Sequence, residues 1–355
     1  MGAFYRYFIS LFIVYLSFSN LEALVIERIG NTEDLKTKAS SVTCLAGGAS
    51  SDEWADGWRA MIAASHGGDV VTIKAKTEGD SYNEWIYNDS DHHGFPRVNS
   101  VSRVFLQEAA EANSLEIERL IENAELIFIQ GGDQSVYYDW FLNSRLGQAI
   151  ERAVSERHVA IGGTSAGMAV LGGIDYRAHF SSPNNEDADV TGEDVLGDPS
   201  GAFVDLGYSM FMAPFLKYVV TDTHFSARSR EGRPMGFMAK AYHHFAGTVP
   251  IHKIKTIASD ESTAFCYNEK GEGKVYGEGN VFFLQGNKEI EQFKVGLPLV
   301  WDGNHEAVLA YVLPGSNLDN SFNLDSWTGL GGHREHWWVE EFAANEKPSV
   351  KRARF

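Results

Sequence analysis

From Val42 to about residue 285 the chain alternates short apolar runs with stretches of helical period, and several of the runs end in a small or polar cluster. That rhythm fits parallel strands joined by crossover helices, because such strands are covered on both faces and read as near-continuous hydrophobic segments. Strands are predicted over 41–46, 69–74, 126–129, 159–161, 215–220 and 254–258. Trp54, Trp58, Met61 and Ile62 recur at helical spacing behind an Asp/Ser-rich start. Asn113 with Glu116 reads as a capping pair for a second helix, whose apolar face is Ile117, Leu120, Ile121 and Ala124. The fold class is therefore α/β: a mostly parallel sheet with helices on both faces.

The domain reading follows the changes in that rhythm. Arg6 precedes the apolar stretch 8–18, and small-residue sites follow at 17–19 and 21–23, so 1–23 reads as a signal peptide. The run is shorter than the ~20 residues that span a bilayer, which leaves an exported protein with no stable membrane insertion after cleavage. Residues 24–41 form a lead-in and 42–285 the α/β domain. Residues 286–355 form an extension packed on the core, with Trp301, Trp327, Trp337 and Trp338. The acidic stretch 181–207 is longer than an ordinary connection and reads as a functional or irregular surface loop.

Charge and cysteine content narrow the partners. Lys and Arg total 30 against 48 Asp and Glu, a net charge of −18 that repels phosphate backbones, so nucleic acid is excluded. Cys44 and Cys266 are far apart, each in an apolar run, and offer neither a disulfide framework nor a zinc signature. At most one bridge could join them, and two buried thiols are expected.

Four polar motifs follow apolar runs. Gly162-Gly163-Thr164-Ser165-Ala166-Gly167 fits a nucleophile elbow, in which glycines make room for a serine held in a strained strand-to-helix turn. Ser165 needs a base and an orienting acid. Thr221-Asp222-Thr223-His224-Phe225 and Ser259-Asp260-Glu261-Ser262-Thr263 supply His224 and Glu261 just past two other strands. In open α/β sheets the carboxyl ends of strands share one crevice, so residues distant in sequence converge there. Gly131-Gly132-Asp133-Gln134, with the N–H of Ala166, could supply an oxyanion hole. An α/β-hydrolase esterase competes, its base being His305, His333 or His336.

As an ordered set, GGDQ at 131–134, GGTSAG at 162–167, DTHF at 222–225 and DEST at 260–263 resemble the cyanophycinases and the aspartyl dipeptidases of the peptidase E type. The resemblance covers residues 42–285 and implies a class I glutamine amidotransferase-like fold with serine at the elbow. It also implies a Ser165, His224, Glu261 triad with Gly132 and Ala166 at the oxyanion hole, and no cofactor or metal. Gln134, Asp222, Thr223, Arg228, Arg230 and Arg233 are then the substrate-binding set. The implied partner is a peptide or polymer like cyanophycin, cut within its poly-aspartate backbone to β-Asp-Arg dipeptides. Thr223 and Ala227 stand where many cyanophycinases carry glutamine, and Met168 is bulkier than the residue often found there. An isoaspartyl dipeptidase and a non-catalytic extracellular binding protein on the same scaffold are the alternatives, and a homodimer stays open. His333 and His336 have the spacing of a helical metal pair, but with no third ligand in view packing is the favoured reading. The adjacent pairs His92-His93 and His243-His244 are assigned no chemistry.

Overall fold

The computed structural model describes residues 24–77, 79, 82–88, 90–208, 213–342 and 346–355. The export segment expected over 1–23 lies outside the described residues. Among the described residues, no helix is long and apolar enough to cross a membrane.

Two sheets organise the chain. The first runs in the order β1 (Val25–Gly30), β4 (Ser100–Leu106), β3 (Asp69–Ala75), β5 (Leu126–Ile129), β6 (Ala160–Thr164) and β2 (Val42–Ala46). It continues through β11 (Thr263–Asn268), β12 (Glu272–Gly277), β15 (Ser321–Asn323) and β16 (Thr328–Leu330). The second runs β18 (Lys351–Arg354), β17 (His333–Trp338), β14 (Val308–Pro314), β13 (Asn280–Gly286) and β10 (Lys255–Ser259), then β9 (Val219–Asp222), β7 (Ile174–Tyr176) and β8 (Leu206–Tyr208).

The α/β class stands, but the expected mostly parallel sheet is corrected. Among the described residues, parallel pairing is confined to the runs β4-β3-β5-β6-β2 and β10-β9-β7. The flanking strands are antiparallel, some joined by tight hairpins such as 269–271 between β11 and β12, others paired across long stretches of sequence, as β2 is with β11. The first sheet buries both faces by strict alternation. Leu45, Ile127, Ile129 and Ile161 join one core cluster, while Cys44, Ala46, Leu126, Phe128 and Ala160 join the other. Helix Ala55–Ala64 packs Trp58, Met61 and Ile62 into the second cluster, and helix Arg145–Ser155 packs Leu146, Ile150 and Ala153 into the first.

Several local readings shift. The helix Leu115–Glu122 is capped by Ser114, whose hydroxyl accepts from the Glu116 N–H. Asn113 instead accepts from the Arg145 N–H. The strand read over 215–220 lies at Val219–Asp222, so that His224 follows it closely. Residues 286–355 are not an appendage on a finished core: β14, β17 and β18 extend the second sheet and β15 and β16 the first. Trp301 and Trp337 are fully buried in the second sheet's cluster. The lead-in likewise supplies an edge strand, β1 pairing antiparallel with β4.

The largest correction concerns the cysteines. Cys44 of β2 and Cys266 of β11 are directly opposed in an antiparallel pair and joined by a disulfide, with Cα atoms 4.1 Å apart and a separation of 222 positions in sequence. Sequence spacing alone gives no register, and register is what brings them together. The Cys44→Ala/Cys266→Ala variant is expected to lose roughly 2–5 kcal/mol of stability through the freer unfolded chain. Denaturant unfolding with and without reductant checks this, and the variant should be insensitive to the reductant.

Candidate active site

Ser165 follows β6 in a backbone conformation of φ 52°, ψ −120°, left-handed for a residue with a Cβ. Crowding explains the glycines around it. A Cβ on Gly163 would lie 2.3 Å from the Gly167 carbonyl oxygen, and one on Gly167 would lie 2.0 Å from that of Ile129. Holding a non-glycine residue at such a φ costs on the order of 1–3 kcal/mol, which the surrounding structure must impose. Here the Ser165 N–H donates to the Ala46 carbonyl at the end of β2, at 3.0 Å.

The next two carbonyls of the same tail hold the other strand-end segments. The His224 N–H donates to the Gly47 oxygen, and the Ser262 N–H to the Gly48 oxygen, both at 2.8 Å. Gly48 itself has φ +115°, and a Cβ there would fall 2.2 Å from Cε1 of His224. Only glycine lets the imidazole lie against this backbone. Asp260 braces the arrangement, one oxygen accepting from the Ser226 N–H and the other from the Asn280 N–H, each at 2.9 Å.

The result is a relay across two sheets: Ser165 Oγ lies 2.7 Å from His224 Nε2, and His224 Nδ1 lies 2.7 Å from Glu261 Oε1. His224 is 9% exposed. Burial holds its pKa below the usual histidine value; the Glu261 hydrogen bond opposes that, and Arg228 and Arg230 reinforce it. At neutral pH the ring is therefore neutral, with Nδ1–H donating to Glu261 and Nε2 open to the serine proton. Gly131 abuts Ser165, its would-be Cβ 3.4 Å from the Cβ of that serine, and Gly132 lines the same cavity as Ser165.

That cavity, of about 440 Å³, gathers Gln134, Thr223, Arg228, Arg230 and Arg233 around Ser165 and His224. Asp222 departs from the expected role: it is 2% exposed and stands behind the arginines, 3.1 Å from Arg233 and 3.5 Å from Arg230. It orients them rather than facing the cavity. Arg230 also donates to the Thr223 carbonyl at 2.9 Å. Burial, then the neighbouring Arg233, pushes the Arg230 pKa down to about 10, which still leaves it charged at neutral pH. Arg233 lies over the ring of Tyr176, 4.7 Å from its centroid.

The acidic loop enters the same cavity. Asp189 Oδ2 accepts from both Arg228 and Arg230 at 2.8 Å. Burial raises the Asp189 carboxyl, but the three arginines outweigh it and hold the group below the usual carboxylate range. Neither Asp189 nor Tyr176 carries a local sequence signal, because each reaches the site through long-range packing. The rival bases lie elsewhere. His305 stacks on Trp338, and His333 and His336 sit on β17, where an i,i+3 spacing in a strand puts them on opposite faces. Asp302, His305 and Glu340 bring ligand atoms within 4.8 Å of one another at the surface, apart from the cavity at Ser165.

No family model matches the chain. It is 24% identical over 181 residues to a cyanophycinase of Geminocystis herdmanii, covering 51% of this chain and 57% of that one. It is 26% identical over 177 residues to a cyanophycinase of Nostoc sp., covering 50% of each. The chain thus spans about half the length of the curated relatives it matches. Among solved structures, a peptidase from an acI-B1 actinobacterium aligns with 69% of this chain and 90% of its own at 17% identity and a TM-score of 0.45. A putative peptidase E from Listeria monocytogenes aligns with 67% of this chain and 99% of its own, at 13% identity and a TM-score of 0.39. Fold and site define an α/β protein with a serine–histidine–glutamate relay at its strand ends. Over about half of its length the chain is similar in sequence to cyanophycinases.

Labelling of Ser165 by a fluorophosphonate reads the relay without assuming a substrate. Gly48→Ala should slow it by about 10²-fold, the cost of displacing a catalytic group by an ångström or so. The acid limb of the labelling profile should have its midpoint below pH 6.5. Arg228→Gln removes a positive neighbour that disfavours protonated His224, so the midpoint should move to higher pH.

Proposed function

We propose that this chain is a serine-type peptidase that hydrolyses the aspartyl backbone of cyanophycin or a closely similar β-Asp-Arg polymer. The observation that carries the reading is the continuous hydrogen-bonded line from Ser165 through His224 to Glu261, opening into a cavity walled by three arginines. Its cyanophycinase relatives add weight to the substrate class.

The chemistry follows from the geometry. Ser165 Oγ attacks the scissile carbonyl carbon while its proton passes to His224 Nε2, and the tetrahedral oxyanion is met by the N–H groups of Gly132 and Ala166. The C–N bond then breaks as His224 returns the proton to the departing amine, leaving an ester on Ser165. Water, deprotonated by the same imidazole, attacks the ester. It releases a carboxylic acid and restores the serine. Glu261 stays ionised throughout and offsets the charge of the imidazolium. Arg228, Arg230 and Arg233 are forked donors suited to carboxylates of the acyl half, and Gln134 lies at the same wall.

Export by the 1–23 segment belongs to the same proposal. The Cys44–Cys266 disulfide supports it, because such bonds persist in oxidising compartments.

Insoluble cyanophycin and a panel of β-aspartyl dipeptides, with soluble products followed by mass spectrometry, test the reading. Release of β-Asp-Arg is expected from the wild type. Ser165→Ala and His224→Ala should reduce it by roughly 10⁴-fold or more, and Glu261→Gln by a smaller factor. Cleavage of dipeptides alone would move the substrate to small isoaspartyl peptides, and binding without any Ser165-dependent turnover would overturn the enzyme.

A further inference from the structure

A second cavity, of about 670 Å³, opens on the other flank of the nucleophile. It shares Gly132, Ser165, His224 and Arg228 with the first, so the reacting atoms sit on the ridge between the two. Its character is different. Where the first is walled by arginines and the acidic loop, the second carries the half-buried rings of Tyr82 and Trp85, with Asp52 and Lys74.

These residues are held in place. Trp85 Nε1 donates to Asp52 Oδ1 at 3.0 Å, which fixes the carboxylate at the edge of the indole. Trp85 meets Tyr82 and the fully buried Trp58 edge-on, at centroid distances of 5.9 Å and 5.2 Å. Tyr82 is stacked on Trp58 and bonded through its hydroxyl to Ser51 at 3.0 Å. Lys74 puts a positive charge at the other side, its Nζ donating to the Gly131 carbonyl at 2.9 Å.

The geometry points to this cavity as the subsite for the leaving half of the substrate, taking an arginyl unit whose guanidinium lies on Trp85 and pairs with Asp52. The inference rests on the proposed function. If the arginine-walled cavity holds the acyl half, the chain beyond the scissile bond must depart on the opposite side of Ser165. A guanidinium is planar and weakly hydrated, so it stacks on an indole face while a carboxylate at the ring edge takes its hydrogen bonds. A β-linked arginine also carries a free carboxylate, for which Lys74 supplies the opposite charge. A leaving group with neither charge would find an aromatic wall but would add nothing to the contacts that Asp52 already makes with the Trp85 N–H at 3.0 Å and His93 Nε2 at 3.4 Å.

Two oligomers of two β-Asp-Arg units test this, one native and one with citrulline in place of the leaving-side arginine. Citrulline keeps the shape and planarity of the side chain and removes its charge. For the wild type, kcat/KM should favour the arginine oligomer by roughly tenfold to a hundredfold. In Trp85→Ala and Asp52→Asn that ratio should collapse to within about threefold of unity, as expected when the discriminating contact is gone. Asp52 is exposed, so its variant keeps the test decisive if the Trp85 variant fails to fold. Equal turnover of both oligomers by the wild type, or an unchanged ratio in the variants, would overturn the subsite and leave the proposed function standing. Turnover of neither oligomer would instead defeat the proposed function and the subsite with it.

Discussion

Three consecutive backbone carbonyls at the end of β2 hold the site together. Those of Ala46, Gly47 and Gly48 accept from the N–H groups of Ser165, His224 and Ser262 in turn. The first of these segments leaves the first sheet and the other two follow strands of the second, so the tail of a single strand sets the spacing between both. Side-chain hydrogen bonds of 2.7 Å tolerate little drift, and the backbone bonds of this tail supply the necessary rigidity. The buried Cys44–Cys266 bridge sits at the base of the same tail and ties it to β11, which begins just past Glu261.

The electrostatics of the site follow from the same compactness. Burial depresses the basicity of His224 and the nearby Arg228 and Arg230 add to it, yet both arginines pair with Asp189, which tempers their field. Asp222 holds Arg230 and Arg233 from behind, so the forked donors are fixed before any ligand arrives. Such preorganisation presents fixed positive charge to the cavity beside Ser165.

Much of the site was legible in the sequence because its signals are local. A glycine-flanked serine after an apolar run, a histidine just past another and an acid past a third each announce themselves within a few residues, and strand-end convergence does the rest. What depends on register or distant packing was not legible. The pairing of Cys44 with Cys266, the passage of Asp189 over the arginines and the placement of Trp85 beside the nucleophile's flank all need the folded topology. The division into two sheets was hidden for a related reason: runs such as those of β9 and β10 read the same whether they join one sheet or another. The final 286–355 lacks the helix–strand rhythm because its strands pair antiparallel through hairpins and loops, so its role in both sheets could not be seen from periodicity.

Hydrolysis through this relay requires that Ser165 become covalently acylated during turnover. Rapid-quench mass spectrometry of the wild type with a β-Asp-Arg oligomer addresses it directly. A transient adduct on the peptide containing Ser165, with the mass of the acyl half and appearing no later than the acyl-half product, is the expected result. Oligomer hydrolysis that proceeds without such an adduct and persists at an undiminished rate in Ser165→Ala would contradict it.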